Sequence, residues 1–253
     1  MKTKSYQWRV TSDNRCSVHS RHSSLITHHS LAFTLIELLV VISIIGVLAG
    51  FTIPVLKTVK AAQYKKVARG ELELIETALE NYKAKYGAYP PSNKNSNYAS
   101  PQASSMFSQL YYELSGVTHN TAAKTFTTLD GSATIYENQY TNAFDVGGVV
   151  NCSQGGGEDA ASAKNFLSGL SSKQLNYYVT NNGVQTTMIV TSVGGPDDKY
   201  QPLNASGLNP FRYVYPGVNN PNGYDLWVQL VIKGQTNLIC NWSRQVIINS
   251  SLP

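Results

Sequence analysis

The chain is short of the residue types that do chemistry. Of its five histidines, four (His19, His22, His28 and His29) fall within the first 32 residues, and His119 stands alone outside them. No HExxH, CxxC or GxSxG pattern occurs, which leaves no metalloprotease, thiol-redox or serine-nucleophile frame. The glycine-rich GGGED run at 155–159 lacks the GxxxxGK[ST] context of a phosphate loop, and Glu158 with Asp159 repel an anion, so it reads as a surface loop. Cysteine is scarce as well: Cys16 lies in the first 32 residues, which leaves Cys152 and Cys240 to form either one disulfide or two separate buried thiols. Net charge is low where it counts. The first 32 residues hold five Lys/Arg and one Asp, nearly all of the formal +5, and the rest of the chain is close to neutral. That excludes an electrostatic case for nucleic-acid binding. Together these gaps describe a chain that is not an enzyme and needs no cofactor or metal.

What the chain does have is one long apolar run. Phe33 to Leu56 reads FTLIELLVVISIIGVLAGFTIPVL, with Glu37 as its single charge. At ~1.5 Å per residue such a helix is about 36 Å long, enough to cross the ~30 Å hydrocarbon core of a bilayer with some tilt. A carboxylate inside a membrane is costly and by default marks function, with a partner to be found. Cleavage between Ala32 and Phe33 would supply one, an α-amino group one helical turn from Glu37. Pro54, near the far end of the run, would by itself signify only a kink.

These residues carry a resemblance. AFTLIELLVVISIIGVLAGFTIP resembles the class III signal of type IV pilins and type II secretion pseudopilins, in which Phe, Glu and Pro recur together and a prepilin peptidase cuts before the Phe and methylates it. The resemblance implies cleavage between Ala32 and Phe33, N-methylation of Phe33, and an assembly role for Glu37 and Pro54. Ala32 departs from the glycine usual before the cut. It further implies a single-pass protein of the bacterial inner membrane, its leader cytoplasmic and its C-terminal domain periplasmic or extracellular. Its partners would be the peptidase, the inner-membrane assembly machinery and other pseudopilins or copies of itself in a filament. The flanking Lys/Arg do not decide orientation: Arg15 and Arg21 precede the span, and Lys57, Lys60, Lys65, Lys66 and Arg69 follow it.

The expected organisation is a removable leader over 1–32, a membrane half of the helix over 33–56, an amphipathic half over 57–86 and a globular domain over 87–253. In the amphipathic half Leu72, Ile75, Leu79, Tyr82 and Tyr86 recur at spacings of 3 and 4, with Glu71, Glu73, Glu76, Glu80, Lys83 and Lys85 mostly on the other sides. The helix should stop at Gly87, ahead of Pro90 and Pro91. Residues 87–105 read as an irregular connection, Phe107 to Leu114 as a short helix closing at Gly116, and 161–170 as another. A strand is expected near Ile135. A hairpin follows from Leu175–Thr180 and Val184–Val193 around Asn181, Asn182 and Gly183, with further strands at 211–215, 224–232, 238–242 and 246–248. The whole is α+β, a long helix on a mostly antiparallel sheet, and pilin-like by resemblance. NPFRYVYPGVNNPNGYDLWV also resembles the PxxYxYPG and YDLxS segments of major pseudopilins, without the acidic loop that holds calcium in them. Asp197 and Asp198 in GGPDDKY are taken as solvated rather than as a cation site.

Two rival readings differ in class. An uncut, membrane-anchored extracytoplasmic domain could recognise glycan or peptide through its Tyr- and Asn-rich loops. An ordinary secretory signal ranks last, because the apolar run is too long for a signal core.

Overall fold

The computed structural model describes residues 34–95, 98, 101–154, 162–179, 183–193, 200, 202–203, 205 and 207–249, without the side chains of 51–58, 101–103 and 154. The leader, the Ala32–Phe33 junction, the GGGED run, Asn181, Asn182, Asp197, Asp198 and the Pro54 side chain lie outside the described residues. The chain divides into two compact units, Met1–Gly50 and Phe51–Pro253.

Helix α1 runs Leu35–Tyr86. It ends where expected: Gly87 takes φ +79°, and its N–H bonds back to the Lys83 carbonyl at 2.8 Å, the left-handed stop that glycine makes cheaply. Among the described residues no helix is long and apolar enough to cross a membrane.

In the second unit the expected stripe is the core face. Leu72, Ile75, Leu79 and Tyr82 are fully buried with Ala68 and Ala78, and Tyr86 packs at their edge. They meet Phe211, Tyr213, Leu226, Val228 and Leu230 in the main hydrophobic cluster.

After α1 come α2 (Pro101–Met106) and α3 (Leu110–Ser115), then β1 (Val117–Asn120), β2 (Thr125–Thr128), β3 (Thr134–Tyr136), α4 (Glu137–Phe144) and β4 (Cys152–Gln154). The remaining strands are β5 (Leu175–Val179), β6 (Gln185–Ile189), β7 (Arg212–Val214), β8 (Asp225–Ile232), β9 (Gln235–Cys240) and β10 (Ser243–Ile248). The fold is α+β, but the strands form three sheets rather than one. Their orders are β3-β2-β1-β4, β10-β9-β8-β7 and the hairpin β5-β6. All pairs are antiparallel except β1–β4, which pairs parallel with Val117 opposite Cys152. A crossover through α4 makes that parallel pair possible. Strand β8 is covered on both faces: Leu226, Val228 and Leu230 join the main core, while Trp227 packs with Leu238 and Cys240.

Two local expectations are corrected. Residues 101–105, read as irregular, fall in α2, which starts on a proline whose missing N–H is no loss at a first helical position. Residues 162–170, read as a short helix, are irregular among the described residues. Their backbone groups bond elsewhere: Phe166 N–H to the Leu114 carbonyl, Lys164 N–H to Asn151 Oδ1, and Leu167 N–H to Asn165 Oδ1. Of the two options left open for the cysteines, the structure has two free thiols, Cys152 beside the main core and Cys240 in the Trp227 cluster. Burial pushes both thiols up.

The YPGVNNPNGYD segment closes on the buried Asp225 carboxylate, which accepts from the N–H groups of Val218, Asn219 and Asn220 at 2.8–3.0 Å. A Cβ on Gly217 would lie 2.6 Å from Asp225 Oδ1 and 2.9 Å from the Asn220 carbonyl. Gly217→Ala should therefore destabilise the domain by about 1–3 kcal/mol through overpacking. Urea unfolding of the two proteins checks it, and equal midpoints would show that the turn relaxes freely.

Candidate functional site

The start of α1 is built by two polar residues. The carbonyl of Thr34 accepts the Leu38 N–H at 3.2 Å, and its hydroxyl accepts the Glu37 N–H at 3.2 Å. In return Glu37 Oε2 accepts the Thr34 N–H at 2.8 Å and the Thr34 hydroxyl at 2.7 Å. This is a reciprocal capping box, satisfying two N–H groups that a helix start leaves without partners. The sequence reading missed it, although Thr-x-x-Glu ahead of an apolar run is its signature. Glu37 Oε1 makes no hydrogen bond among the described residues, so half of the carboxylate is still open to a cation.

Beyond this cap the helix is apolar all round and uncovered. Side chains from Leu35, 82 % exposed, through Val41, 46 %, to Leu48, 60 %, are all open. Soluble monomers rarely expose contiguous apolar surface of this kind. A helix apolar on every side suits a bilayer or a bundle of its own copies.

In the second unit α1 is keyed to the globular part by polar anchors as well as by its stripe. Glu71, expected on an outer side, is buried instead. Its carboxylate takes the Thr191 hydroxyl at 2.6 Å and the Ser192 N–H at 3.1 Å, and it contacts the Ser192 hydroxyl. The Arg69 guanidinium reaches the carbonyls of Cys240 at 2.6 Å and Ser243 at 2.9 Å, so it holds the β9–β10 turn. Near the helix end Tyr82 donates to Glu113 Oε2 at 2.9 Å, and Tyr86 to Asn151 Oδ1 at 2.6 Å. Burial pushes the Glu113 carboxyl up, against hydrogen bonds from Val150, Asn151 and Tyr82 that favour its charged form. Burial likewise raises the Tyr82 phenol, with the Glu113 charge adding to it.

His119, without a motif in the sequence, is brought by β1 against the Glu137 carboxylate at the start of α4. The pair lines an open cavity of about 830 Å³ with Lys124, Phe126, Tyr136 and Asn142. Among the described residues no group of His, Cys, Asp and Glu side chains is placed to hold a metal ion.

Residues 28–53 match the prokaryotic N-terminal methylation motif. Over 68 residues, 27 % of this chain and 47 % of the relative, the chain is 40 % identical to the type II secretion system core protein G of Escherichia coli K12. Over 62 residues, 24 % of this chain and 44 % of the relative, it is 37 % identical to the protein of the same name from Pseudomonas aeruginosa. The chain thus spans about half the length of the curated relatives it matches. No solved structure matches it.

Proposed function

We propose that this chain, type IV pilin-like by its methylation motif and its likeness to secretion core protein G, is a non-enzymatic structural subunit of a secretion filament. Prepilin peptidase would remove residues 1–32 and methylate Phe33. The segment Phe33–Leu56 would hold the subunit in the inner membrane, with the domain on the far side, until it is drawn into a bundle with other pseudopilins. The observation that carries this reading is the capped, uncovered apolar helix with one carboxylate at its first turn. Once Phe33 is the terminus, its amine lies within a turn of Glu37, and the open Oε1 can take the amine of a neighbouring subunit. Pairing of that kind neutralises both charges in an apolar bundle and fixes axial register.

The test is the mass of the N-terminal peptide from membranes of cells that contain the peptidase. A chain starting at N-methyl Phe33 is expected, and a chain retaining 1–32 would overturn the reading. That second outcome would favour an uncut, membrane-anchored binding domain, for which the cavity beside His119, Tyr136 and Asn142 is the supporting observation.

A further inference from the structure

The docked half of α1 carries its charge in blocks. Lys60, Lys65 and Lys66 come first, Glu73, Glu76 and Glu80 follow about two turns later, and Lys83 and Lys85 close the helix, with Arg69 and the buried Glu71 between the first two blocks. Lys60, Lys66, Glu73 and Glu80 are exposed, while Lys65 and Glu76 are partly so. Among the described residues the one ion pair is His119–Glu137, and neither of the first two blocks forms one with them. Glu80 accepts only a phenol, that of Tyr89 at 2.8 Å. Burial pushes the Glu76 carboxyl up, against the Arg69 charge, with the crowding of Glu73 and Glu80 adding to it. Arg69 and Lys83 flank the acidic block, Lys83 contacting the Tyr89 hydroxyl at 3.4 Å, but neither forms an ion pair with it among the described residues.

Helical geometry shapes the two blocks differently. At 3.6 residues per turn the three carboxylates fall within about 60° of the helix surface, whereas the three lysines are distributed around it. A neighbour that abuts the acidic sector thus meets a lysine whichever side it presents.

We propose that the two blocks dock on each other between copies of this chain, the Lys60–Lys66 block of one lying level with the Glu73–Glu80 block of the next. The inference rests on the filament reading above and adds to it a surface and a register. Copies inserted in one membrane by one route share their orientation, so neighbouring α1 helices run parallel. Parallel helices at equal height set lysine beside lysine and glutamate beside glutamate, which is repulsive. A displacement of thirteen residues, from Lys60 to Glu73, is about 20 Å at ~1.5 Å per residue and turns that repulsion into attraction. A contact between two different patches of identical subunits does not close on itself in a dimer and extends into an open helical array.

The test uses the full chain expressed with its peptidase, comparing the parent with Lys66→Glu, Glu73→Lys and both changes together. Both side chains are exposed. Filament yield from sheared cells is measured alongside the N-terminal mass of Phe33. Each single change places like charges together at every contact along the array and should lower yield about tenfold at low salt. The double change should restore it to within about threefold, because opposite blocks again face each other. A zero-length amine-to-carboxylate cross-linker should join Lys60, Lys65 or Lys66 of one parent copy to Glu73, Glu76 or Glu80 of another. Single variants that assemble like a filament-forming parent would sink the docking and leave the filament reading standing. A loss with Lys66→Glu but not with Glu73→Lys would assign the basic block to anionic lipid headgroups, which also overturns it. A parent that keeps 1–32 and forms no filament brings down both.

Discussion

Replacing Glu37 with leucine should leave the chain inserted in the membrane and processed before Phe33, yet cut its assembly into filaments by more than about tenfold, since each subunit contact would lose its charge pairing. Insertion is expected to survive because the change removes the one charge from an apolar helix. The structure complicates the variant usefully, because Glu37 also closes the capping box with Thr34. Loss of assembly in Glu37→Leu alone has two explanations, a missing charge or a frayed helix start. Glu37→Gln separates them. A glutamine at this position still accepts the Thr34 N–H, as capping boxes permit, but it cannot neutralise an amine. If the charge pairs with the terminus of a neighbour, both variants fail alike. If Glu37→Gln assembles as the parent does, the carboxylate serves the helix start and the amine pairing is wrong. Filament yield after shearing, with membrane fractionation as the control, reads both.

How much of this was legible beforehand follows from the physics of each signal. The stripe Leu72–Tyr86 and its stop at Gly87 were visible because they rest on helical period and a backbone rule, both properties of local sequence. Strands β7 to β10 were visible for a similar reason, as short β-branched and aromatic runs between turn residues. Glu71 was misplaced because a docked carboxylate leaves no periodic trace. Its partners, Thr191 and Ser192, lie 120 or more residues away in the chain. Strands β1 and β2, VTHN and TFTT, carry too little apolar alternation to stand out, and β4 pairs with β1 only through a crossover. His119 becomes interesting through Glu137, eighteen residues on and in another element. The capping box is a different matter, since Thr34 and Glu37 stood in plain view and were outweighed by the expected terminal amine.

Glu113 carries the largest effect expected on the fold. Its carboxylate is buried on α3 and accepts the Val150 N–H at 2.9 Å, the Asn151 N–H at 3.1 Å and the Tyr82 hydroxyl at 2.9 Å. It therefore ties the long helix to the residues that lead into β4. Glu113→Ala leaves two buried donors, Asn151 N–H and the Tyr82 hydroxyl, and the part-buried Val150 N–H without an acceptor and should cost about 3–5 kcal/mol, because each unsatisfied buried polar group costs about 1–3 kcal/mol and water can relieve part of it. Urea unfolding of the full chain in detergent, followed by the fluorescence of Trp227 and Trp242, measures the difference. Its dependence on pH tests the cause. Burial raises the folded-state value of Glu113 above the ordinary carboxylate value of 4.5. Below that ordinary value both states hold the proton and the raised value has no consequence. As pH climbs through the window up to the raised value, the unfolded chain gives up its proton first, so the native state binds more protons and stability falls. Half-buried Glu76 is shifted in the same direction and is present in parent and variant alike, so its contribution cancels in their difference. The gap between parent and Glu113→Ala should accordingly be widest at the acid end of the window and narrow toward neutrality. A gap that stays constant across it would mean that Glu113 titrates alike folded and unfolded, and that hydrogen bonding to the carboxylate outweighs its burial.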